Sequence, residues 1–194
     1  MHDIEGVILA GGRASRMGGD DKGLVMLNGK PLYQYVLETL KPQVKTLSIS
    51  ANRNLPIYQQ SGLKVFSDTL RDYPGPLAGM LSGLQQSKHE WVMFAPCDVP
   101  FIPSDIVQYL WIHRAGHKAA YIHDGNRAHP TIALLNRALI SPLMKYLEQG
   151  ERKLMIFLEQ CNAQQVTYLA QDCFINFNTH EECQRCEQKL KEQE

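Results

Sequence analysis

A glycine-rich loop near the start of the chain carries the first residues that could do chemistry. A short apolar run ends at Gly11 and Gly12, and three cations follow, Arg13, Arg16 and Lys22. Glycines let backbone N–H groups approach a ligand closely, and a helix N-terminus favours anions. The loop therefore suits a nucleoside triphosphate; the alternative is a surface glycine turn with solvated arginines. Its spacing is neither that of the Walker A loop nor that of G-x-G-x-x-G.

Carboxylates and amides follow other segments. Asp98 comes directly after a continuous apolar run, and Asp68 follows another predicted strand. An aspartate in such a position can hold Mg²⁺, which takes oxygen ligands and commonly bridges carboxylates to substrate phosphates. The alternative for Asp98 is a turn or capping carboxylate, although Ser104 is better placed to cap the next helix. Asn176 and Asn178 alternate along the chain, so they lie on one side of it if it is extended.

Two further pairs have the spacing of metal ligands but little support. Cys183 and Cys186 form a C-x-x-C with no second cysteine pair nearby, which favours two thiols on one face of a polar helix. No carboxylate is positioned with His113 and His117, so a solvated helix end explains them better. The odd total of 5 cysteines does not suggest a disulfide framework.

Length and charge narrow the classes of protein. A chain of 194 residues fits one domain, so we expect a single domain over 1–194. The formal net charge is +0 and there is no Lys/Arg run, which argues against a nucleic-acid partner. No apolar run approaches the roughly 20 residues of a membrane helix. The N-terminus has no basic region followed by an apolar stretch, so we expect no signal peptide and a cytoplasmic protein.

The elements that must position these residues alternate between strands and helices. The predicted strands are 5–10, 46–51, 63–67, 91–98, 119–123, 131–136 and 165–170, with a small hairpin over 24–32. The predicted helices are 32–42, 55–62, 76–87, 104–114, 138–148, 152–160 and 179–193. The alternation predicts a three-layer α/β fold with a mostly parallel sheet, and short turns between the late strands predict an antiparallel insertion. Ligands of such folds bind outside the carboxyl ends of the strands.

Five segments, in this order, resemble one enzyme family: LAGGRASRMGGDDKGL, YPGPLAGM, PCDVP, HPTIALL and NFNT. The first is similar to the signature of nucleotidyltransferases with a mixed-sheet, Rossmann-like α/β/α fold. Its combination with P-C-D-x-P is similar to the molybdenum cofactor guanylyltransferases, and the resemblance runs essentially from end to end. It implies Mg²⁺-dependent transfer of GMP from GTP to molybdenum-bound molybdopterin, with release of pyrophosphate.

The resemblance also implies roles for individual residues on the nucleotide side. Arg16, Lys22 and Asp98 would be catalytic, with the two cations on triphosphate oxygens and the carboxylate on Mg²⁺. Members of the family often carry Asn where this chain has Ser50, so either Ser50 or Asn52 would make that contact. The implied nucleotide-binding residues are Leu9, Ala10, Gly11, Gly12, Lys22, Ser50, Asn52, Asp68, Gly75 and Asp98.

On the pterin side the motifs are weaker. The resemblance implies that Arg152 contacts the pterin phosphate and that Asn176 and Asn178 lie near the pterin or the metal. Gly75 and Pro76 would shape the loop that receives the base or the pterin.

Three alternative functions stay open at this point. A cytidylyltransferase for the same pterin usually carries L-A-A-G and D-Q-P, whereas this chain has L-A-G-G, which ends at Gly12, and Cys97-Asp98-Val99 before Pro100. A nicotinamide oxidoreductase would need G-x-G-x-x-G and an acidic residue about 20 positions on, and the glycine spacing fails. A nucleotide-binding adaptor could deliver the cofactor to molybdoenzymes or their chaperones, because fold and pocket do not fix turnover.

Overall fold

A seven-stranded mixed sheet organises the part of the chain that the computed structural model describes, residues 2–11, 21–70, 75–177 and 182–183. Within these residues the strands are β1 (Ile4–Leu9), β2 (Met26–Leu27), β3 (Lys30–Pro31), β4 (Thr46–Ser50), β5 (Lys64–Phe66), β6 (Trp91–Pro96), β7 (Ala119–His123), β8 (Ala128–Asn136) and β9 (Gln164–Thr167). The α-helices of the same residues are α1 (Leu32–Leu40), α2 (Leu55–Gln59), α3 (Pro76–Gln86), α4 (Ile106–His113), α5 (Ile140–Glu148) and α6 (Leu154–Gln160).

The strand order confirms the predicted mixed, mostly parallel sheet. The order is β5-β4-β1-β6-β8-β7-β9. The first four of these strands are parallel to one another, whereas β8 runs antiparallel to both β6 and β7. The last strand, β9, pairs with β7 in parallel. The antiparallel insertion is therefore β8, and β6 is the central strand that its continuous apolar sequence predicted.

Alternating side chains of the strands build a core on each face of the sheet. Along β6, Trp91, Met93 and Ala95 pack on one side with α1 and α4, while Val92 and Phe94 pack on the other with α3, α5 and α6. All five are buried, which explains why the strand reads as an uninterrupted apolar run. The result is the predicted three-layer arrangement, with each helix layer covering one face.

Some element ends differ from the sequence prediction. The strand predicted over 91–98 ends at Pro96, because the chain turns at Cys97 and Asp98 and so leaves the sheet. The strand predicted over 131–136 begins earlier, at Ala128, where it pairs with His123 of β7. Pairing partners supplied by β7 extend β8 into residues whose own pattern is not that of a strand. Most of the predicted closing helix lies outside the described residues, within which positions 182 and 183 are helical.

The small hairpin is built as its turn sequence predicted. Asn28 and Gly29 have φ angles of 47° and 73°, and two positive φ angles are the requirement of the type I′ turn that Asn-Gly favours. The hairpin closes a separate apolar cluster in which Leu27 packs with Phe177 and Cys183. This cluster fixes the segment that carries Asn176 against the first third of the chain. Among the described residues no helix is long and apolar enough to cross a membrane.

A buried carboxylate closes the turn between β7 and β8. Oδ1 of Asp124 accepts hydrogen bonds from the backbone N–H groups of Asn126 and Arg127 at 2.7 and 2.8 Å, and Oδ2 lies 2.7 Å from Nε2 of His129. The hydrogen bond with His129 is the main reason that the pKa of Asp124 lies well below its ordinary value, and burial opposes it. Folding therefore favours the ionised form of this carboxyl.

We expect Asp124→Asn to make the free energy of unfolding less dependent on pH in the acidic range. The pKa of Asp124 is lower in the folded chain than its ordinary value of about 3.9, so the unfolded chain binds more protons than the folded chain as the pH drops below about 5. The free energy of unfolding therefore decreases as the pH is lowered through this range. The variant lacks this term and should lose about 1.5–3 kcal/mol at neutral pH, the usual value of hydrogen bonds to a charged group. Urea unfolding between about pH 3 and pH 7 measures both effects. Asp172→Asn, at an exposed position, is the matched control, and a parallel loss of slope in both variants would contradict the prediction.

Candidate active site

The parallel pairing of four strands brings the ends of distant segments into one row. Leu9 lies opposite Ser50 on one side and Pro96 on the other, and Ser50 lies opposite Phe66. Parallel strands end at the same edge, so the residues that follow each of them meet there. Asp68 and Asp98 come two residues beyond Phe66 and Pro96. The sheet thus brings the predicted site residues Leu9, Ser50, Asp68 and Asp98 to its carboxyl edge.

Lys22 and Asp98 form an ion pair at this edge. Nζ of Lys22 lies 3.2 Å from Oδ2 of Asp98, and the two side chains are 31% and 9% exposed. The other carboxylate oxygen, Oδ1, accepts a hydrogen bond from Nδ2 of Asn176 at 3.0 Å. The backbone N–H of Phe177 donates to the Asp98 carbonyl at 2.9 Å. Three segments that are far apart in sequence are therefore joined through one aspartate.

Asp68 is held by both of the residues between which the sequence could not choose. The Ser50 hydroxyl donates to Oδ1 of Asp68 at 3.1 Å, and Nδ2 of Asn52 donates to Oδ2 at 2.8 Å. Oδ1 of Asn52 in turn accepts from the Asp68 backbone N–H at 2.9 Å, and its Nδ2 also reaches the Gly11 carbonyl at 3.4 Å. Ser50 and Asn52 thus act together on one carboxylate. A direct contact of either with a nucleotide stays a prediction.

The backbone at the start of the loop continues the sheet by two hydrogen bonds. The Ala10 N–H donates to the Ser50 carbonyl at 2.8 Å, and the Cys97 N–H donates to the Leu9 carbonyl at 3.1 Å. Cys97 is buried, and burial together with the charge of Asp98 raises the pKa of its thiol well above the ordinary value. The thiol therefore stays protonated and packs as an apolar group rather than acting as a nucleophile.

The remaining predicted site residues lie at the start of α3, near the end of α5 or outside the described residues. Gly75 precedes α3 with φ 113°, a conformation that favours glycine, and Pro76 begins the helix as predicted. The Arg152 Nη1 donates to the carbonyls of Leu147 and Glu151 at 2.9 and 2.6 Å, which binds it to the end of α5. Its contact with a pterin phosphate stays a prediction. Three predicted residues lie outside the described part of the chain: Gly12, Arg16 and Asn178.

Asp21 is a buried residue to which the sequence assigned no role. It caps the short 3₁₀ turn Lys22–Leu24, where it accepts from the Gly23 N–H at 3.2 Å, and it is 8% exposed. The Tyr58 hydroxyl also donates to it, at 2.7 Å. Burial raises the pKa of Tyr58 far above its ordinary value, with Cys97 and Asp21 adding to the shift, so the hydroxyl stays protonated. One feature of the sequence indicates that Asp21 could matter, namely that it directly precedes Lys22. No local pattern links Asp21 to Tyr58, which is 37 positions away.

The donor set at Asp98 fits a hard divalent cation. The carboxylate is nearly buried beside the amide of Asn176, and both groups offer oxygen ligands. Within the described ranges no group of three or more His, Cys, Asp or Glu could hold a metal ion. A cation at Asp98 would therefore take most of its ligands from water and phosphate, which is how Mg²⁺ is usually bound at phosphate-handling sites.

The two histidines weighed as a metal pair have separate partners. Nδ1 of His113 lies 2.8 Å from the Tyr109 carbonyl, and Nδ1 of His117 lies 2.6 Å from the Asn162 carbonyl. Each ring is therefore held by its own backbone carbonyl, and the two imidazoles have separate surroundings.

A mixed sheet with a lysine–carboxylate pair and polar side chains at its carboxyl edge is typical of the α/β proteins that bind ligands outside the carboxyl ends of their strands. The model of the MobA-like NTP transferase domain matches residues 6–166. The chain belongs to this family of nucleotidyltransferases, which generally use a divalent metal ion.

Relatives and solved structures agree with that assignment. The chain is similar to two proteins named molybdenum cofactor guanylyltransferase. The one from Serratia proteamaculans is 53% identical over 191 residues, which cover 97% of this chain and 97% of the relative. The one from Yersinia pestis is 53% identical over 192 residues, which cover 98% of each of the two chains. The resemblance seen in the sequence motifs is thereby confirmed. The solved structure of molybdopterin-guanine dinucleotide biosynthesis protein A from Archaeoglobus fulgidus has a TM-score of 0.76 and 24% identity, and covers 97% of this chain and 99% of its own. At that identity it supports the fold alone.

We expect Asn52→Ala to weaken binding of a nucleoside triphosphate more than Ser50→Ala does. Among the described residues, the Asn52 side chain makes three hydrogen bonds, two with Asp68 and one with Gly11, whereas the Ser50 hydroxyl makes one, with Asp68. Each side chain donates one hydrogen bond to the Asp68 carboxylate, worth about 1.5–3 kcal/mol, and the two further bonds of Asn52 join neutral groups and add about 0.5–1.5 kcal/mol each. Titration calorimetry with GTP measures the affinities. Ser61→Ala, which removes a hydroxyl bonded to the Tyr58 carbonyl, is the control, and equal affinities for all three variants would remove Asp68 from the nucleotide site.

Proposed function

We propose that this protein transfers GMP from GTP to molybdenum-bound molybdopterin, which yields the molybdopterin guanine dinucleotide cofactor and pyrophosphate. The observation that carries the proposal is the Lys22–Asp98 pair, 3.2 Å apart at the carboxyl edge of the sheet. The near-full-length identity of 53% to proteins named for this activity supports it.

The reaction joins two polyanions, so charge and position matter more than acid–base chemistry. The terminal phosphate of the pterin would attack the α-phosphorus of GTP in line with the leaving pyrophosphate. That phosphate is already an anion and needs no strong base from the protein. The enzyme's task is to align the two substrates and to stabilise the negative charge that builds up between them.

Lys22 and Asp98 divide that task by charge. Without substrate they neutralise each other, and Lys22 has room to move because a third of its side chain is exposed. In the proposed complex the ammonium group contacts triphosphate oxygens and thereby offsets charge on pyrophosphate. Arg16, outside the described residues, would add a second cation from the loop.

Asp98 is the residue that we propose as the ligand of Mg²⁺. When bound, Mg²⁺ supplies charge neutralisation and polarises a phosphoryl oxygen. The hydrogen bond from Asn176 fixes the orientation of the Asp98 carboxylate at the carboxyl edge of the sheet, and Asn178 follows Asn176 two positions on in the sequence. Arg152, Asn176 and Asn178 are the proposed contacts of the pterin side.

The same proposal covers the surroundings of the reaction. A GTP substrate favours a cytoplasmic location, and the product must pass to molybdoenzymes or their chaperones. We treat residues 1–194 as one catalytic domain, because the family match spans residues 6–166.

We expect GTP to be used in preference to CTP and ATP. A site that hydrogen-bonds one base edge leaves buried polar groups unpaired with another base, which can discriminate on the order of 10³-fold. Pyrophosphate release by the purified protein, with molybdenum-loaded molybdopterin and Mg²⁺, measures kcat/KM for each nucleotide. Comparable values for CTP and GTP would favour the cytidylyl alternative, and GTP binding without pyrophosphate release would favour the adaptor.

We expect Asp98→Asn to fold but to turn over poorly and to respond weakly to Mg²⁺. The amide keeps an acceptor for Asn176 but removes the charge that holds the cation. Loss of the partly exposed ion pair with Lys22 should cost only about 0–1 kcal/mol of stability. Melting temperature and a Mg²⁺ titration of turnover on the same variant decide the point. A variant that melts early yet turns over like the wild type would make Asp98 a turn-stabilising residue.

A further inference from the structure

The carboxylate of Asp21 is buried, and the three donors that reach it from the described residues carry no charge. Oδ1 accepts from the Gly23 N–H and the Tyr58 hydroxyl, and Oδ2 accepts from Nδ2 of Asn54 at 3.0 Å. Burying an ionised carboxylate is costly unless it is well hydrogen-bonded. Three converging donors meet that requirement, so the position of Asp21 is tightly specified.

Two of those donors, Asn54 and Tyr58, belong to α2 and its N-cap, an element that is itself fixed in the core. Tyr58 lies on α2, is fully buried, and packs edge-on against Tyr33 of α1 with ring centroids 5.0 Å apart. Asn54 precedes α2 in the left-handed conformation, with φ 51°. Asn tolerates this conformation better than most residues, and here it directs the amide at Asp21.

The turn that Asp21 caps is wedged between Tyr58 and the end of β6. A Cβ atom on Gly23 would collide with the Tyr58 hydroxyl and would lie 3.2 Å from Sγ of Cys97. The residue after Cys97 is Asp98, and the residue before Gly23 is Lys22. The backbone positions of Lys22 and Asp98 are thus fixed by the close packing of their sequence neighbours, Gly23 and Cys97.

We propose that Asp21, held by Tyr58 and Asn54, is a positioning residue that fixes the backbone of Lys22 so that its ammonium group reaches the phosphate-handling site beside Asp98. This inference rests on the proposed nucleotidyl transfer, for which Lys22 is the phosphate contact. Lysine has a long, flexible side chain, so its reach depends on where its backbone is held. A small displacement of such a group can cost a large part of the rate.

Tyr58→Phe tests the inference, because it removes the hydroxyl and keeps the buried ring. We expect kcat to fall about tenfold while KM for GTP stays within about twofold, since the group is displaced in the transition state rather than lost. In the Lys22→Ala background the same change should lower kcat by less than about twofold, because there is no ammonium group left to position.

Tyr33→Phe is the matched control. It removes the hydroxyl of the neighbouring buried tyrosine, whose described partner is Nε2 of Gln34 at 3.4 Å, and it should leave kcat unchanged. Equal losses of kcat from Tyr58→Phe with and without Lys22 would overturn the inference. So would a Tyr58→Phe variant that melts earlier but keeps the wild-type kcat.

Asp21 itself gives a second, independent test through rescue. Asp21→Ala should lower kcat about tenfold or more, by the same loss of position. Asp21→Asn should recover kcat to within about threefold, because the amide oxygen still accepts from Gly23 and Tyr58 and the Asn54 amide can turn to accept from the new NH₂ group. An Asp21→Asn variant as slow as Asp21→Ala would contradict positioning by these hydrogen bonds.

The wild-type protein separates failure of the inference from failure of the proposed function. Absence of pyrophosphate release by the wild type, with GTP, molybdenum-loaded molybdopterin and Mg²⁺, would overturn the nucleotidyl transfer, and the positioning role with it. An active wild type with additive Tyr58 and Lys22 effects would overturn the positioning role alone.

Discussion

Parallel pairing of β5, β4, β1 and β6 is the constraint on which the rest of the structure depends. Each of these strands is a short segment with buried side chains, and polar residues such as Asp68 and Asp98 follow the ends of two of them. These polar residues are far apart in sequence and meet because the strands are parallel. Because the strands run in one direction and in register, Leu9, Ser50, Phe66 and Pro96 end in one row. The residues beyond that row leave the sheet at one edge, where Asp68 and Asp98 lie two positions past Phe66 and Pro96. The direction of the strands thus brings two carboxylates of the candidate site to the same edge.

The electrostatics of that edge are compatible with the proposed site for polyanions, although two of its side chains are acidic. Asp68 and Asp98 would repel phosphate if they were free, but each is engaged by neighbours. Asp68 accepts from the neutral donors of Ser50 and Asn52, whereas Asp98 is paired with the charge of Lys22. The first carboxylate is thus suited to a neutral part of a nucleotide, and the second to a cation. Both aspartates follow the end of a strand, but they differ in their partners, which are neutral donors for Asp68 and a charged ammonium group for Asp98.

The site also joins parts of the chain that fold into separate clusters. Asp98 binds the segment of Asn176 and Phe177 through its side chain and its carbonyl. Phe177 packs into the cluster of the β2–β3 hairpin, which directly follows the turn of Lys22. The strand end, the late segment and the hairpin therefore support one another. A substitution in the hairpin would therefore alter the geometry at Asp98 through Phe177, although the hairpin residue itself need not contact Asp98.

The sequence by itself determined the alternation of strands and helices, the central place of β6, the Asn28–Gly29 turn, the start of α3 at Pro76 and the family. These features are local, because apolar periodicity, turn chemistry and contiguous motifs act over a few residues. It also placed Lys22, Asp68 and Asp98 at strand ends, and so at one edge. Only the tertiary structure decided that Ser50 and Asn52 share Asp68, that Asn176 binds Asp98, and that Tyr58 and Asn54 hold Asp21. Those hydrogen bonds span 16 to 78 positions, and they depend on strand register and on the rotation of α2 about its axis. The sequence predicts that Tyr58 lies on a short helix, but its burial and the carboxylate that its hydroxyl meets are set by the packing of the whole fold.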